Sequence, residues 1–351
     1  MDIAVIGACG DVGRQIVQHI VVERLLQCGQ RLVLVGNAEG ASAKSVHGLA
    51  ADLIDAYAEI CPRIEIVLDP EEMRADLIVM AAGATLPADP HATHGTRDEL
   101  AERNAPVFER YAQALARNGR GSEIVVCITN PNELAVALFA KYLGPKRVIG
   151  MGAFLDSLRF RKELALDLGV SRQAVHAHVA GEHGSGIVPL WSDIHVYGIA
   201  ADRLSHDLGR IRGDRVTPFA ESVSHALREM RELVAAGRVP EAYAAVDRCP
   251  PDVRVVVRPF VTHFSGAKTV IGTARATMEF LRTITQGSDV LVSGQITLDG
   301  EAYGIHGTIG VPFVVGNRGV DRVFELPLSD DERSLLCDSA ARVQEKIARF
   351  V

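Results

Sequence analysis

Glycine recurs at every third position in Gly7-Ala8-Cys9-Gly10-Asp11-Val12-Gly13, and this segment constrains the fold more than any other. It lies between an apolar run at 2–6 and a stretch with apolar residues at helical spacing, which indicates a strand, a turn and a helix. In that context the first glycine makes a tight turn, the second lets the backbone approach a pyrophosphate, and the third permits close helix packing. A purely structural turn is the alternative, but the pattern favours a dinucleotide site built from Gly7, Gly10, Asp11, Val12 and Gly13.

Apolar runs continue through the first 150 residues, separated by segments long enough for helices or crossovers, at 31–35, 64–67, 76–80, 123–128 and 147–150. Strands that alternate with crossovers and are apolar on both faces are typical of parallel sheets. We therefore expect an α/β fold that begins with a doubly wound parallel (Rossmann) sheet of about six strands. This sheet would form a dinucleotide-binding domain over residues 1–150.

After Gly150 the pattern changes to helices mixed with short alternating runs. Helices are predicted at 153–168 and, with amphipathic spacing, at 329–349. The runs that predict strands lie at 174–180, 191–198, 289–298 and 309–315. We expect an α+β domain over residues 151–351 that supplies the catalytic and substrate-binding groups.

The composition excludes several kinds of partner. A formal net charge of −7 argues against sequence-independent binding to nucleic acid. The longest apolar runs are shorter than the roughly 18 residues of a membrane span, and a strand that begins at Asp2 leaves no room for a signal peptide. Six cysteines are scattered without paired spacing, which indicates reduced thiols. We expect a cytoplasmic protein with a small-molecule partner.

The end of the second strand bears on the choice of dinucleotide. In sites that bind NAD, an acidic residue there holds the adenosine ribose hydroxyls. Here the run 31–35 is followed by Gly36-Asn37, and the first acidic residue after the run is Glu39. The missing carboxylate would tolerate a 2′-phosphate, but no arginine follows, and Lys44 is the nearest cation. We expect NAD, contacted near Asn37, with NADP not excluded.

A histidine stands between glycines in Gly181-Glu182-His183-Gly184. Histidine is the side chain that titrates near neutral pH, so it suits proton exchange with an alcohol or a ketone. Such a histidine needs a carboxylate to fix its tautomer and stabilise its charged form. Asp156 is the candidate, and it shares a predicted helix face with Arg159, three residues on. A solvated surface salt bridge is the alternative for that pair.

Arginine holds a carboxylate through two parallel hydrogen bonds, so Arg159 is the candidate substrate clamp. Arg97 follows a stretch rich in proline, glycine, alanine and histidine, and a cation there could close over substrate and polarise its carbonyl. Thr129-Asn130-Pro131 ends the run 123–128, at the sheet edge where ligands bind. Asn130 could bridge the nicotinamide ribose and the substrate, or it is simply a turn residue before proline.

These residues together resemble the lactate and malate dehydrogenase family, and the resemblance covers nearly the whole chain. It rests on motifs in the family's order: the glycine turn, Thr-Arg-Asp-Glu-Leu, Ile-Thr-Asn-Pro, Arg-Val-Ile-Gly, Leu-Asp-Ser-Leu-Arg-Phe-Arg, Gly-Glu-His-Gly and Gly-Thr-Ile-Gly-Val-Pro-Phe-Val-Val-Gly-Asn-Arg-Gly-Val. The resemblance implies a homodimer or homotetramer that transfers a hydride between a nicotinamide and C2 of a 2-hydroxy or 2-oxo acid.

The resemblance also implies residue roles. His183 would be the proton donor and acceptor, with Asp156 as its partner and Arg159 as the carboxylate clamp. Arg97 would be the loop arginine, and the contacts to cofactor and substrate would include Gly83, Asn104, Thr129 and Asn130.

The sequence departs from the family in the loop between Gly83 and Arg97, which is longer than usual and contains the substrate-selecting position. Counting forward from Gly83 places Leu86 there, which would favour a hydrophobic 2-oxo acid. Counting back from Arg97 places His91 there, which, like His94, could meet a second carboxylate when protonated. Two histidines without a third ligand are insufficient for a metal, so we expect none.

Two further departures lie in the second half. Ser185-Gly186 follows the histidine motif, where family members often have an acidic residue and a hydroxyl. The segment 203–262 is longer than expected, and Cys249-Pro250-Pro251 should break the long helix that borders the substrate pocket. Lys268 or Thr269 would line that pocket, and a lysine there would favour an acidic or phosphorylated substrate.

The sequence thus predicts an NAD-dependent dehydrogenase of malate or a related dicarboxylate, with a lactate-like monocarboxylate as the alternative. Two other functions compete with this prediction. One is a glycosidase that uses NAD and a metal, but its cysteine and histidine ligand set is missing near Asn130 and His183. The other is a non-catalytic dinucleotide-binding protein that retains only the fold.

Overall fold

The structure, a computed structural model, describes residues 1–89, 97–213 and 217–351. Six parallel strands form its first half: β1 (Asp2–Ile6), β2 (Arg31–Val35), β3 (Arg63–Val67), β4 (Leu77–Met80), β5 (Ile124–Cys127) and β6 (Val148–Gly150). Their order in the sheet is β3-β2-β1-β4-β5-β6, the doubly wound order. The predicted six-stranded parallel sheet is confirmed.

The central strands of this half are buried because helices cover both faces of a doubly wound sheet, whereas the edge strand β3 is only partly buried. Every residue of β4 and β5 is buried, as are the last four residues of β1 and of β2. The helices of this half are α1 (Asp11–Val22), α2 (Ser42–Ala56), α3 (Arg97–Asn118) and α4 (Asn132–Leu143). Near-continuous apolar runs in the sequence therefore identified the strands correctly.

The second half contains seven antiparallel strands in its described part, five of which extend the same sheet: β7 (Val175–His176), β8 (Val179–Gly181), β9 (Ile187–Pro189), β10 (His195–Val196), β11 (Val290–Asp299), β12 (His306–Gly316) and β13 (Gly319–Val323). β11 joins β6 where Gln295 pairs with Gly150, and the sheet continues through β12, β8 and β9. β13 pairs with β12, while β7 and β10 form a separate two-stranded sheet. The α+β character predicted here is confirmed.

The run 174–180 was expected to be one strand, and it is two. Its two parts pair in different sheets: β7 pairs with β10, whereas β8 pairs with β9 and β12. The run 191–198 contains a short 3₁₀ turn at Trp191–Asp193 before β10 begins.

Helices of the second half are α5 (Gly152–Leu168), α6 (Ala201–Arg212), α7 (Phe219–Ala235), α8 (Val239–Asp247), α9 (Pro251–Phe264), α10 (Val270–Gln286) and α11 (Asp330–Ile347). The lengthened segment 203–262 thus contains four helices in its described part. Cys249-Pro250-Pro251 separates α8 from α9, as predicted: Pro250 directly precedes α9 and Pro251 is its first residue, a position where a helix tolerates proline. No helix in the described ranges is long and apolar enough to cross a membrane.

A buried ionic network fixes the lengthened segment to α5. Glu163 of α5 is 2% exposed, and its carboxylate accepts from Arg254 Nε at 2.8 Å and from Arg258 Nε at 3.0 Å. Arg254 also contacts Asp167 of α5 at 2.8 Å. Both arginines lie on α9, so one face of α9 is held to α5 by charge.

Replacing Glu163 by alanine should lower the free energy of unfolding by about 3–5 kcal/mol, because it leaves Arg254 buried with an incomplete set of partners. The measurement is urea unfolding followed by the fluorescence of Trp191, the only tryptophan of the sequence. Trp191 packs against the hydrophobic core of the second half. Glu241→Ala is the control, since Glu241 pairs with Arg238 at the surface. An equal effect of the two variants would contradict a stabilising network.

Candidate active site

A cavity of about 530 Å³ opens at the carboxyl ends of the parallel strands. This edge of a doubly wound sheet is where ligands bind. Among the residues predicted to contact cofactor, six line the cavity: Gly10, Asp11, Val12, Gly83, Thr129 and Asn130. The predicted catalytic residues Asp156, Arg159 and His183 line it as well. The fold therefore brings residues from both halves of the chain into one cavity.

The glycine turn has the geometry that its spacing predicts. Gly7 has a φ of +80°, and a Cβ atom there would lie 2.8 Å from the backbone of Ala82. A Cβ atom on Gly13 would collide with the carbonyl oxygen of Gly7. The first turn of α1 can therefore lie directly against the end of β1, with its amide groups at the cavity. Amides at a helix N-terminus suit a phosphate, so these residues fit a dinucleotide.

Asn104 is placed differently from the expected cofactor contact. Its side chain is fully buried, its Oδ1 accepts from the Ala84 amide at 2.7 Å, and its Nδ2 donates to the carbonyls of Ala84 and Asn130. Asn104 thus joins the loop after β4 to the loop after β5. It acts on the cavity through the backbone of those loops, while Thr129 donates to the Ala82 carbonyl beside it.

The end of β2 carries the residues predicted to face the adenosine ribose. Asn37 is exposed, and its Oδ1 accepts from the Glu39 amide at 3.3 Å. Lys44 is exposed on α2. Asn37 therefore lies at the surface beyond the main cavity.

Asp156 forms the centre of the predicted catalytic group. It is 2% exposed, and its Oδ2 lies 2.7 Å from Nδ1 of His183. Its Oδ1 accepts from Arg159 Nη1 at 3.1 Å. The Asp156–Arg159 pair is thus buried at the carboxylate end, unlike a solvated surface salt bridge. One carboxylate contacts both the predicted proton carrier and the predicted clamp.

The electrostatics of Asp156 depend on those two contacts. Burial opposes ionisation of the carboxyl group, but the charges and hydrogen bonds of His183 and Arg159 outweigh it and hold the pKa of Asp156 below its usual value. Burial lowers the pKa of Arg159, against the opposing effect of Asp156, yet a guanidinium stays charged. An ionised Asp156 directs a proton to Nδ1 of His183, which makes Nε2 the nitrogen suited to exchange a proton with a ligand.

Sequence reasoning missed the residues that place His183. Glu133 at the start of α4 is buried, and its Oε1 accepts from the His183 amide at 2.7 Å and from Gln295 Nε2 at 3.2 Å. Gln295 Oε1 in turn accepts from the Ala153 amide at the start of α5. Burial raises the pKa of Glu133, although the contact with His183 opposes the change. This network joins the histidine loop to the helix that carries Asp156.

Gly152 is a second missed residue. A Cβ atom there would lie 2.5 Å from Cγ of His183, so only glycine lets the imidazole lie against the first turn of α5. The one available signal was a glycine at the start of a predicted helix, next to Gly150. No spacing rule connects that position to a histidine 31 residues further along the sequence.

The described part of the substrate side is largely apolar. Leu86, reached by counting forward from Gly83, lines the cavity. α9 contributes Val255, Val256, Pro259 and Phe260. His91 and His94 lie outside the described residues, as does the side chain of Arg97, whose backbone begins α3.

Lys268 and Thr269 were the two candidates for the pocket-lining position, and both line the cavity. Lys268 Nζ donates to Asp11 Oδ2 at 2.6 Å, so its charge faces the glycine turn. His263 of α9 also lines the cavity, and its Nε2 lies 3.0 Å from the carbonyl oxygen of Pro87.

Family models match nearly the whole chain. The NAD binding domain of lactate/malate dehydrogenase matches residues 1–150, and the alpha/beta C-terminal domain of the same family matches residues 153–245 and 261–351. The chain therefore belongs to the lactate/malate dehydrogenase family. As a member it is an NAD-dependent oxidoreductase that acts on 2-hydroxy acids.

The similar proteins include both malate dehydrogenases and lactate dehydrogenases. The chain is 26% identical to the malate dehydrogenase of Methanothermobacter marburgensis, over 100% of this chain and 97% of that one. It is 29% identical to the L-lactate dehydrogenase of Bacillus caldolyticus, over 79% of this chain and 76% of that one. These identities leave the choice between the two substrates open.

Solved structures share the fold. A lactate dehydrogenase from Cryptosporidium parvum, complexed with lactic acid and nicotinamide adenine dinucleotide, aligns with a TM-score of 0.76 at 24% identity, over 99% of this chain and 97% of that one. The malate dehydrogenase of Aeropyrum pernix aligns with a TM-score of 0.75 at 24% identity, over 99% and 98% of the two chains. Both likenesses concern the fold alone.

Replacing Asp156 by asparagine should lower kcat by roughly 10²- to 10⁴-fold, because the amide no longer fixes the proton on Nδ1 of His183 or stabilises its charged form. Steady-state kinetics measure the change, and a thermal melt checks that the variant folds. Asp338→Asn, an exposed change on α11, is the control. A kcat near the wild-type value would show that Asp156 does not support the reaction.

Proposed function

We propose that this cavity oxidises a 2-hydroxy acid and reduces the matching 2-oxo acid, with His183 exchanging the proton of the C2 oxygen. The contact of Asp156 with both His183 and Arg159 carries the proposal. It combines a proton carrier of fixed tautomer with a group that binds carboxylate, within one small cavity. A dehydrogenase of 2-hydroxy acids requires both.

Each of the three residues has one part in the proposal. Arg159 binds the substrate carboxylate through donors other than the Nη1 hydrogen that Asp156 accepts, and so turns C2 toward the histidine. His183 takes the hydroxyl proton through Nε2 during oxidation and returns it during reduction. Asp156 holds the ring and balances the charge that His183 gains. NAD bound at the glycine turn supplies the hydride acceptor.

The proposal also includes the predicted roles of Asn130 and Arg97. Asn130 lines the cavity beside Thr129 and is exposed to it, which supports a contact with ribose and substrate. Arg97 begins the helix that follows the lengthened loop, as a residue that closes over substrate would. For the cofactor we propose NAD rather than NADP, which the match to the family's NAD binding domain over residues 1–150 supports.

The described walls support a substrate with an apolar side chain. A dicarboxylate such as malate needs a second cation beside the substrate side chain. Of the two lysines that line the described cavity, Lys268 faces the glycine turn through Asp11, and Lys346 contacts both carboxylate oxygens of Glu182. We therefore place a lactate-like or larger apolar 2-hydroxy acid first. The dicarboxylate is the second candidate, because His91 and the side chain of Arg97 lie outside the described residues.

We propose that residues 1–150 and 151–351 act as the cofactor and substrate domains, which the limits of the two family matches support. We propose a homodimer or homotetramer, as the family resemblance implies. We also propose a cytoplasmic location, supported by six cysteines that are all free thiols in the structure.

A panel of 2-oxo acids tests the function: pyruvate, branched-chain acids, oxaloacetate, and sulfonated and phosphorylated analogues, each with NADH and with NADPH. We expect NADH oxidation, followed at its absorbance band, with the apolar monocarboxylates turned over fastest. His183→Asn should abolish turnover while retaining NADH binding. Equal turnover by both proteins would contradict the mechanism, and binding without turnover of any acid would favour the non-catalytic alternative.

Leu86→Arg should shift selectivity toward dicarboxylates. A guanidinium at this wall position pairs with a second carboxylate, so the ratio of kcat/KM for oxaloacetate to that for a branched-chain acid should rise by about tenfold or more. Leu166→Arg is the matched control, since Leu166 is exposed on α5. An unchanged ratio in Leu86→Arg would show that Leu86 does not face the substrate side chain.

A further inference from the structure

Lys268 connects the two sides of the cavity. It lies in the turn between α9 and α10, where its φ of +56° is unusual for a residue with a side chain. Its Nζ donates to Oδ2 of Asp11, the first residue of α1, at 2.6 Å. Both residues line the cavity. The bond spans 257 positions of sequence and joins the substrate half to the glycine turn.

Asp11 is an unexpected neighbour for a phosphate cradle. The glycine turn and the first amides of α1 attract anions, but a carboxylate at the same point repels them. Lys268 offsets that negative charge. A lysine ammonium has three donors, so it can hold Asp11 and still donate to a second anion. The side chain is 41% exposed, which leaves room for such an anion beside it.

We propose that Lys268 binds the diphosphate of the dinucleotide, with Asp11 as the competing anion that holds its ammonium over the glycine turn. This rests on NAD binding in the cavity. It replaces the sequence-based expectation that a lysine here selects an acidic substrate, since Nζ faces the turn. Lys268 therefore sets cofactor affinity, and the turn between α9 and α10 takes part in cofactor binding although it belongs to the substrate half.

The proposal predicts opposite effects for the two partners of one bond. Lys268→Met removes a donor to the diphosphate and leaves Asp11 uncompensated, so the Kd for NADH should rise about tenfold or more. Asp11→Asn removes a repelling charge and a competitor for Nζ, so the Kd for NADH should fall or stay unchanged. If the bond only held the two walls together, either substitution would break it, and both would weaken binding alike.

The experiment is a titration of each variant with NADH, read by the fluorescence of the bound nicotinamide rather than by turnover. Lys268→Arg should keep most of the affinity, because it keeps the charge. Lys146→Met is the matched control, since Lys146 is exposed in the turn between α4 and β6 and does not line the cavity. Thermal melts of all variants confirm that each is folded. Weak NADH binding by the wild type would count against the proposed cofactor rather than against Lys268.

Two shorter probes locate the contact. ADP contains the diphosphate and adenosine does not, so Lys268→Met should weaken ADP binding and leave adenosine binding unchanged. Equal affinities of wild type and Lys268→Met for NADH and ADP would overturn the proposal. So would equal weakening of NADH binding by Lys268→Met and Asp11→Asn, because that result shows a bond between walls and no contact with phosphate.

Discussion

The buried carboxylate of Asp156 sets the conditions that the rest of the site must meet. A carboxylate that is 2% exposed is stable as an ion only with cations and donors beside it, and the structure supplies His183 and Arg159. Those partners come from the loop after β8 and from α5 itself. The glycine at 152 lets the imidazole reach its place, and Glu133 with Gln295 joins the histidine loop to the start of α5. Removing His183 or Arg159 would leave the buried charge of Asp156 without full compensation.

Most of the first half could be predicted from the sequence because its physical signals are local. A strand buried on both faces is apolar throughout, and glycines between such a strand and a helix have few other uses. All six predicted strands of this half are present, with bounds that differ by one residue at most. The types of the candidate catalytic residues also follow from the sequence, since proton exchange and carboxylate binding each favour one kind of side chain.

The parts that escaped prediction depend on contacts between distant segments. Asn104 looked like a cofactor contact, but only the folded chain shows that its amide is used by Ala84 and Asn130. The Glu133–Gln295 bond joins positions 162 residues apart, and no motif marks it. The run 174–180 reads as one strand, yet its two parts pair with different partners, β7 with β10 and β8 with β9 and β12. Spacing rules describe neighbours along the chain, so they cannot identify such pairs.

Helix α9 presents two chemically different faces. Arg254 and Arg258 bind Glu163 of α5, whereas Val255, Val256, Pro259 and Phe260 line the cavity. The family match covers residues 153–245 and 261–351, so both faces lie between the two matched segments. The ionic face anchors the helix to the element that carries Asp156 and Arg159, and the apolar face is left to vary in size. Replacement of the four cavity-lining side chains could therefore change which 2-hydroxy acid is the substrate, while the reaction at C2 and the packing of α9 on α5 stayed the same.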